Sequence, residues 1–207
     1  MKHFIFDLGG VLQKAISTDD LSEEDFYINC NSEHIKKLFS ESFIKYEKGE
    51  INTKDFVSIM NPYFNKKNLT VEEYEKNYIE VGIKHELKYD HVEKLLTDLK
   101  KEGYKIYLLS NLHELTFKDF SNNFNVDIFD ELFLSYKIHL LKPDEAIYKY
   151  VVKNIGDEPK NMCFFDDKIK NVEAAVLSGM NSMVTTGLTL EKNINIMKRK
   201  WQNNESN

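Results

Sequence analysis

The sequence predicts an α/β protein built on a doubly wound parallel sheet, with a helical subdomain inserted after the first strand. Short apolar runs, each ending at a polar residue, alternate with stretches of helical periodicity, the pattern of strands joined by helical crossovers. A long stretch rich in Glu, Lys and Asn, helical in its signals, separates the first apolar run from the second. Parallel strands joined in this way cross over with a right hand, and such sheets bind ligands outside the carboxyl ends of their strands.

The first strand covers residues 3–6 and leaves the sheet through Asp7-Leu8-Gly9-Gly10, a polar residue and two glycines suited to a turn. Residues 13–89 form the insert. Helix starts are expected at Ser22, Thr53 and Thr70, and Ile35, Leu38, Phe39, Phe43 and Tyr46 recur at a helical period. Gly49 and Pro62 punctuate it, so it reads as a small helical bundle. From residue 90 the pattern becomes α/β. Asp90 suits a helix cap ahead of the stripe Val92, Leu95, Leu96 and Leu99, and Gly103 suits the left-handed end. A second strand over 105–109 ends at Ser110-Asn111, and a short one covers 132–134. Pro143 is expected to open a helix running to Gly156 with Ile147, Tyr150 and Val151 buried. The apolar run 162–165 stops at Asp166-Asp167. A helix bearing Val172, Ala175 and Val176 then ends at Gly179, and 182–185 make a last strand. The polar tail after Lys198 is expected to fray. The core is thus 1–12 with 90–207, and the insert 13–89.

Of 207 residues 42% are hydrophobic and 13% aromatic, enough for a packed core and against disorder. The net charge of −6 argues against a nucleic-acid partner. No apolar run approaches the roughly 20 residues that span a bilayer, and Asp7 breaks the apolar start too early for a signal peptide. Cys30 and Cys163 match neither a disulfide framework nor a metal pair. A cytoplasmic protein without a membrane partner is the expectation.

The strand ends carry the chemistry. The sheet would gather Asp7, Ser110, Asp166 and Asp167 at one crevice, with Lys142 in the loop before the Pro143 helix. Clustered carboxylates repel one another unless a hard divalent cation sits among them, and oxygen ligands suit Mg²⁺. A lysine and a hydroxyl beside them suit a phosphoryl group, which Asp7 is placed to attack.

The segments Phe4-Ile5-Phe6-Asp7-Leu8-Gly9-Gly10-Val11-Leu12, Leu109-Ser110-Asn111, Lys142-Pro143-Asp144 and Phe165-Asp166-Asp167 resemble, in order, the four motifs of the haloacid dehalogenase superfamily. The resemblance extends to Asn171-Val172-Glu173-Ala174-Ala175 and Ser178-Gly179-Met180, and covers nearly the whole chain. It implies a Mg²⁺-dependent phosphatase of a small phosphorylated metabolite, working through an aspartyl-phosphate. Asp7 would be nucleophile and metal ligand, and Ser110, Asn111 and Lys142 would hold the phosphoryl group. The carbonyl of Gly9, with Asp166 and Asp167, would complete the metal site, and the insert would be the family's small cap. One position departs: most phosphatases of the family carry an aspartate where this chain has Gly9, and that carboxylate is the general acid and base. Some members similar to this one in having Asp-Leu-Gly act on sugar 1-phosphates, the substrate bias the resemblance suggests.

Three further readings stay open. Gly9 motivates a phosphometabolite-binding protein with little turnover. A 2-haloacid dehalogenase needs an arginine at the site, and the single arginine, Arg199, lies at the wrong end of the chain. His113 could replace the missing acid, although an exposed loop histidine is the more ordinary expectation, and Glu47 and Glu50 carry no assignment.

Overall fold

The computed structural model describes residues 1–15, 21–84, 89 and 91–205. Five strands, β1 (His3–Phe6), β2 (Lys105–Ser110), β3 (Glu131–Leu134), β4 (Met162–Asp166) and β5 (Asn181–Val184), form one parallel sheet in the order β3-β2-β1-β4-β5. Phe6 pairs with Leu108 on one side and Phe165 on the other. The strands therefore finish level, and Asp7, Ser110 and Asp166 emerge at one edge.

Both faces of the sheet are covered, which is why its strands read as continuous apolar runs rather than alternating ones. Phe4, Phe6, Ile106, Leu108 and Phe165 face one layer, with α4 (Val92–Lys101), α5 (Glu114–Asn123) and α9 (Leu190–Glu205). Ile5, Leu109, Phe133 and Phe164 face the other, with α7 (Glu145–Ile155) and α8 (Ile169–Leu177). The short α6 (Ser135–Ile138) follows β3 directly.

Between β1 and α4 lie α1 (Glu33–Glu47), α2 (Thr53–Met60) and α3 (Val71–Lys84), packed around Phe26, Tyr46, Phe56, Met60, Phe64 and Tyr74. Leu115 of α5 closes that cluster from the sheet side. Hydrogen bonds hold these helices over the carboxyl edge: Ser135 Oγ donates to the Glu47 carbonyl at 2.6 Å, Thr53 Oγ1 donates to Glu114 Oε1 at 2.6 Å, and Tyr78 Oη and Thr116 Oγ1 lie 2.8 Å apart. Gly49, at φ +67°, sits against the Tyr136 carbonyl, where a side chain would collide.

Local signals held in some places and moved in others. Thr70 and Glu73 form the expected reciprocal cap. No helix follows Ser22; the next begins after Ser32, whose Oγ accepts from the Ile35 amide. Asn52 rather than Thr53 caps α2, through a reciprocal box with Asp55, and the Thr53 hydroxyl donates to Glu114 instead. Asp90 lies outside the described residues. Pro143 precedes its helix instead of opening it: the Lys142–Pro143 bond is cis and α7 starts at Glu145. On α7 the buried tyrosine is Tyr148, whose hydroxyl donates to the Asn171 carbonyl, while Tyr150 is exposed. Val176 is likewise exposed. The tail does not fray at Lys198. Leu190, Ile194, Met197 and Trp201 form one buried stripe of α9, and the Trp201 ring packs 5.0 Å from Phe4.

Candidate active site

Asp7 is the first residue beyond β1, and its amide still donates to the Phe165 carbonyl at 2.9 Å, so its backbone is held in the ladder's line. Ser110 ends β2 and donates its hydroxyl to Asp7 Oδ1 at 2.7 Å. Lys142 Nζ lies 2.8 Å from the same oxygen, 2.7 Å from Asp166 Oδ2, and donates to the Leu109 carbonyl at 3.0 Å. All three donors of the ammonium are thus used, in a side chain only 1% exposed. Burial works against its charge, but Asp7 and Asp166 outweigh it and hold the Lys142 pKa above the ordinary lysine value.

Asn111 reaches this point indirectly. Its Oδ1 accepts from the Lys142 amide and its Nδ2 donates to the Lys142 carbonyl, both at 2.8 Å. The amide group of Asn111 is therefore committed to the lysine's backbone and sets where Nζ begins its reach. Asp166, fully buried, accepts from Asn171 Nδ2 at both oxygens and from the Lys168 amide. Asn171 stands five residues on, in the first turn of α8. The sequence showed it within a helix, but nothing local marked it as the partner of Asp166.

Asp167 differs from its neighbour. Its Oδ1 is buried with no hydrogen-bond partner, an expensive state for a carboxylate. Burial, and then repulsion from Asp7 and Asp166, raise its pKa above the usual carboxylate value. Asp7, Asp166 and Asp167 each offer an oxygen within 4.8 Å of the others. Three carboxylates against the one buried ammonium leave an excess of two negative charges. That excess, the orphaned oxygen and the all-oxygen donor set fit a hard divalent cation.

Two cavities adjoin the turn after β1. One, of about 440 Å³, is bounded by Asp7, Asn111, Lys142, Lys168, Lys170 and Asn171, with Pro143 and Ile169 beside them. The other, of about 530 Å³, lies among the inserted helices and reaches Gly9 in the same turn. A Cβ on Gly9 would meet nothing within 4 Å, so the missing side chain leaves real space.

His113 is not the exposed loop residue expected from sequence. It is 3% exposed, its ring stacks on Tyr46 at 4.1 Å and 8°, and Nδ1 accepts from the Thr116 amide as the cap of α5. Burial pushes its pKa down to about 3, so it is neutral at physiological pH. Glu47, at the end of α1, is half-buried and close enough to feel the site. Burial raises its pKa, Lys168 and Lys142 lower it, and Asp7 raises it. Arg199 is exposed on α9.

Residues 1–179 match the family described as haloacid dehalogenase-like hydrolase. The D-ribitol-5-phosphate phosphatase of Bacteroides thetaiotaomicron is 26% identical over 185 residues, covering 83% of this chain and 85% of that protein. The sesquiterpene phosphatase astK of Aspergillus oryzae is 34% identical over 87 residues, 42% of this chain; the match spans only 44% of the relative. A haloacid dehalogenase family enzyme of Bacteroides thetaiotaomicron, crystallised with magnesium and inorganic phosphate, shares the fold at a TM-score of 0.74 and 24% identity, over 90% of this chain and 95% of that one. Among the described residues no helix is long and apolar enough to cross a membrane.

Proposed function

The chain belongs to the haloacid dehalogenase-like hydrolases, and on that premise we propose that it is a Mg²⁺-dependent phosphatase of a small phosphorylated molecule. The observation that carries this reading is the double grip on Asp7 Oδ1 by Ser110 Oγ and Lys142 Nζ at the wall of the cavity bounded by Asn111, Lys168 and Asn171. A carboxylate so fixed keeps one rotamer, and the charge of Lys142 lets it face an anionic phosphorus. In this reading Asp7 attacks phosphorus, the ester P–O bond breaks, and its electron pair leaves on the alcohol oxygen, which takes a proton from water. Water then cleaves the aspartyl-phosphate, releasing inorganic phosphate and regenerating Asp7. Ser110 Oγ and one donor of Lys142, both spent on Asp7 Oδ1, turn to the transferring oxygens as phosphorus approaches that carboxylate, while Asn111 positions Lys142 and Asn171 fixes Asp166. Asp7, Asp166 and Asp167, with the carbonyl of Gly9, would hold Mg²⁺, which supplies charge neutralisation for the phosphoryl oxygens. The inserted helices serve as the cap that limits water at the site.

Magnesium and phosphate in a neighbour of the same fold, and phosphatase activities among the relatives, support this reading. The position of Arg199, exposed and remote in sequence from the motifs, speaks against dehalogenation. Gly9 favours one second reading, a phosphometabolite-binding protein with little turnover, because no side chain there can protonate a leaving group. Phosphate release from sugar phosphates, nucleotides and acetyl phosphate, with and without Mg²⁺ and with Asp7→Asn as control, separates the two. Mg²⁺-dependent release lost in the control is expected. Tight binding without release would replace the phosphatase with the binding protein.

A further inference from the structure

We infer that the substrate is a phosphate monoester of an apolar alcohol, whose hydrocarbon part occupies the cavity among the inserted helices while its phosphate meets Asp7. This rests on the phosphatase reading and names its substrate class.

The cavity of about 530 Å³ is walled by Phe26, Phe39, Phe43, Phe56, Tyr74 and Val81. Gln13, Lys14 and Tyr27 add polar groups to the lining, but its aromatic side chains outnumber them. The Tyr78 hydroxyl and both ring nitrogens of His113 lie within hydrogen-bonding distance of Thr116 Oγ1, and His113 is held neutral by its surroundings. A polyol chain entering here would leave most of its hydroxyls without partners, the costly case for buried polar groups. A hydrocarbon chain or ring system would lose nothing and shed apolar surface. The volume suits a group of drug-like size.

Continuity with the catalytic turn argues that this space belongs to the substrate. Gly9, two residues from Asp7, lines it, as do Gln13 and Lys14 on the chain leaving that turn. The glycine that removes the expected general acid thus also borders the aromatic-walled space, with nothing within 4 Å of where its Cβ would stand. The cavity is not an exposed apolar face: it lies between helices already tied to the core through Glu47, Thr53 and Tyr78.

A homologous series tests this without any variant. The n-alkyl monophosphates from ethyl to decyl keep one leaving-group chemistry and differ only in apolar length. With Mg²⁺ present, kcat/KM is expected to rise about threefold per methylene until the cavity fills, and to exceed that for ribitol 5-phosphate and glucose 1-phosphate by about 100-fold or more. Titration calorimetry with the matching n-alkylphosphonates, which cannot be hydrolysed, is expected to show the same climb in affinity. Phe43→Asn should flatten both series. Mg²⁺-dependent release from acetyl phosphate with rates and affinities flat along the series, or with the polyol phosphates preferred, would overturn the inference and leave the phosphatase standing. Phosphonate affinity rising with chain length in a protein that releases no phosphate would overturn the phosphatase and keep the apolar site.

Discussion

Gly10 and Asp167 stand so close that a Cβ on Gly10 would lie 2.7 Å from Asp167 Oδ2. Gly10 also holds φ at +77°, a conformation that side chains resist. The turn after β1 is thus shaped against the second carboxylate of the β4 end, and glycine is required twice over. Gly10→Ala should cost about 1–2 kcal/mol from the backbone alone and push Asp167 aside, weakening Mg²⁺ binding by about tenfold or more. Urea unfolding and calorimetric Mg²⁺ titration of the same variant check both halves.

Asp167 itself gives a sharper contrast. Mg²⁺ at about 100 times its Kd should stabilise the wild type by about 2.7 kcal/mol, raising Tm by about 5–10 °C. Asp167→Asn removes a charge that is unpaired at Oδ1 and repelled by two neighbours. Its metal-free Tm should equal or exceed that of the wild type, and the increment from Mg²⁺ should all but vanish. A variant that melts lower without metal and still responds fully to Mg²⁺ would remove Asp167 from the cation site.

Lys142 is the centre of charge for two buried carboxylates, so its loss is structural as well as chemical. Lys142→Met should destabilise the fold by roughly 3–5 kcal/mol, the cost of stranding buried charges, read by urea unfolding without metal. Asp7→Asn should leave the fold in place and lower phosphate release by about 10³-fold or more.

His113 supplies a pH dependence of stability with a definite sign. Its folded pKa, near 3, lies below the ordinary value of 6.5. Below about pH 6.5 the unfolded chain therefore takes up a proton that the folded protein refuses, and stability falls on acidification toward pH 3. Between pH 7 and pH 5 this contributes about 2 kcal/mol of loss. In His113→Asn, which keeps a capping acceptor, that part of the slope should disappear. Denaturation curves at the two pH values for both proteins provide the check.

Gly9→Asp restores the carboxylate the family ordinarily carries, into space where a Cβ meets nothing within 4 Å. Turnover of short alkyl phosphates should rise, by up to about 10²–10⁴-fold, with a smaller gain for acetyl phosphate, whose leaving group needs little protonation. Equal gains on both would show that leaving-group protonation is not what Gly9 omits.

The strand ends were legible because each buried run stops at its polar residue, and a parallel sheet brings such ends together without further information. Asp7, Ser110, Asp166 and Asp167 converge for that reason, and Lys142 joins them through the Asn111 amide. Partners fixed by tertiary packing were not legible. Asn171 is one asparagine among many until α8 turns it onto Asp166, and His113 looks like a loop residue until Tyr46 covers it. Trp201 likewise ties down a tail whose composition suggested fraying. The apolar cavity was invisible for a different reason: helical periodicity tells which residues face inward, but not whether they meet.

Leu115 and His113 belong to the chain of the sheet, yet they finish the interior of the inserted helices, one closing the apolar cluster and the other stacked on Tyr46. The insert is accordingly not a module that evolution or an engineer can exchange by cutting at residues 13 and 89. A graft would carry half an interior, and the recipient would have to supply a matching first turn of α5. Any change of substrate range that works by remodelling these helices must move in step with the loop that follows Ser110. On the proposed reading, selectivity and catalysis are thereby inherited together.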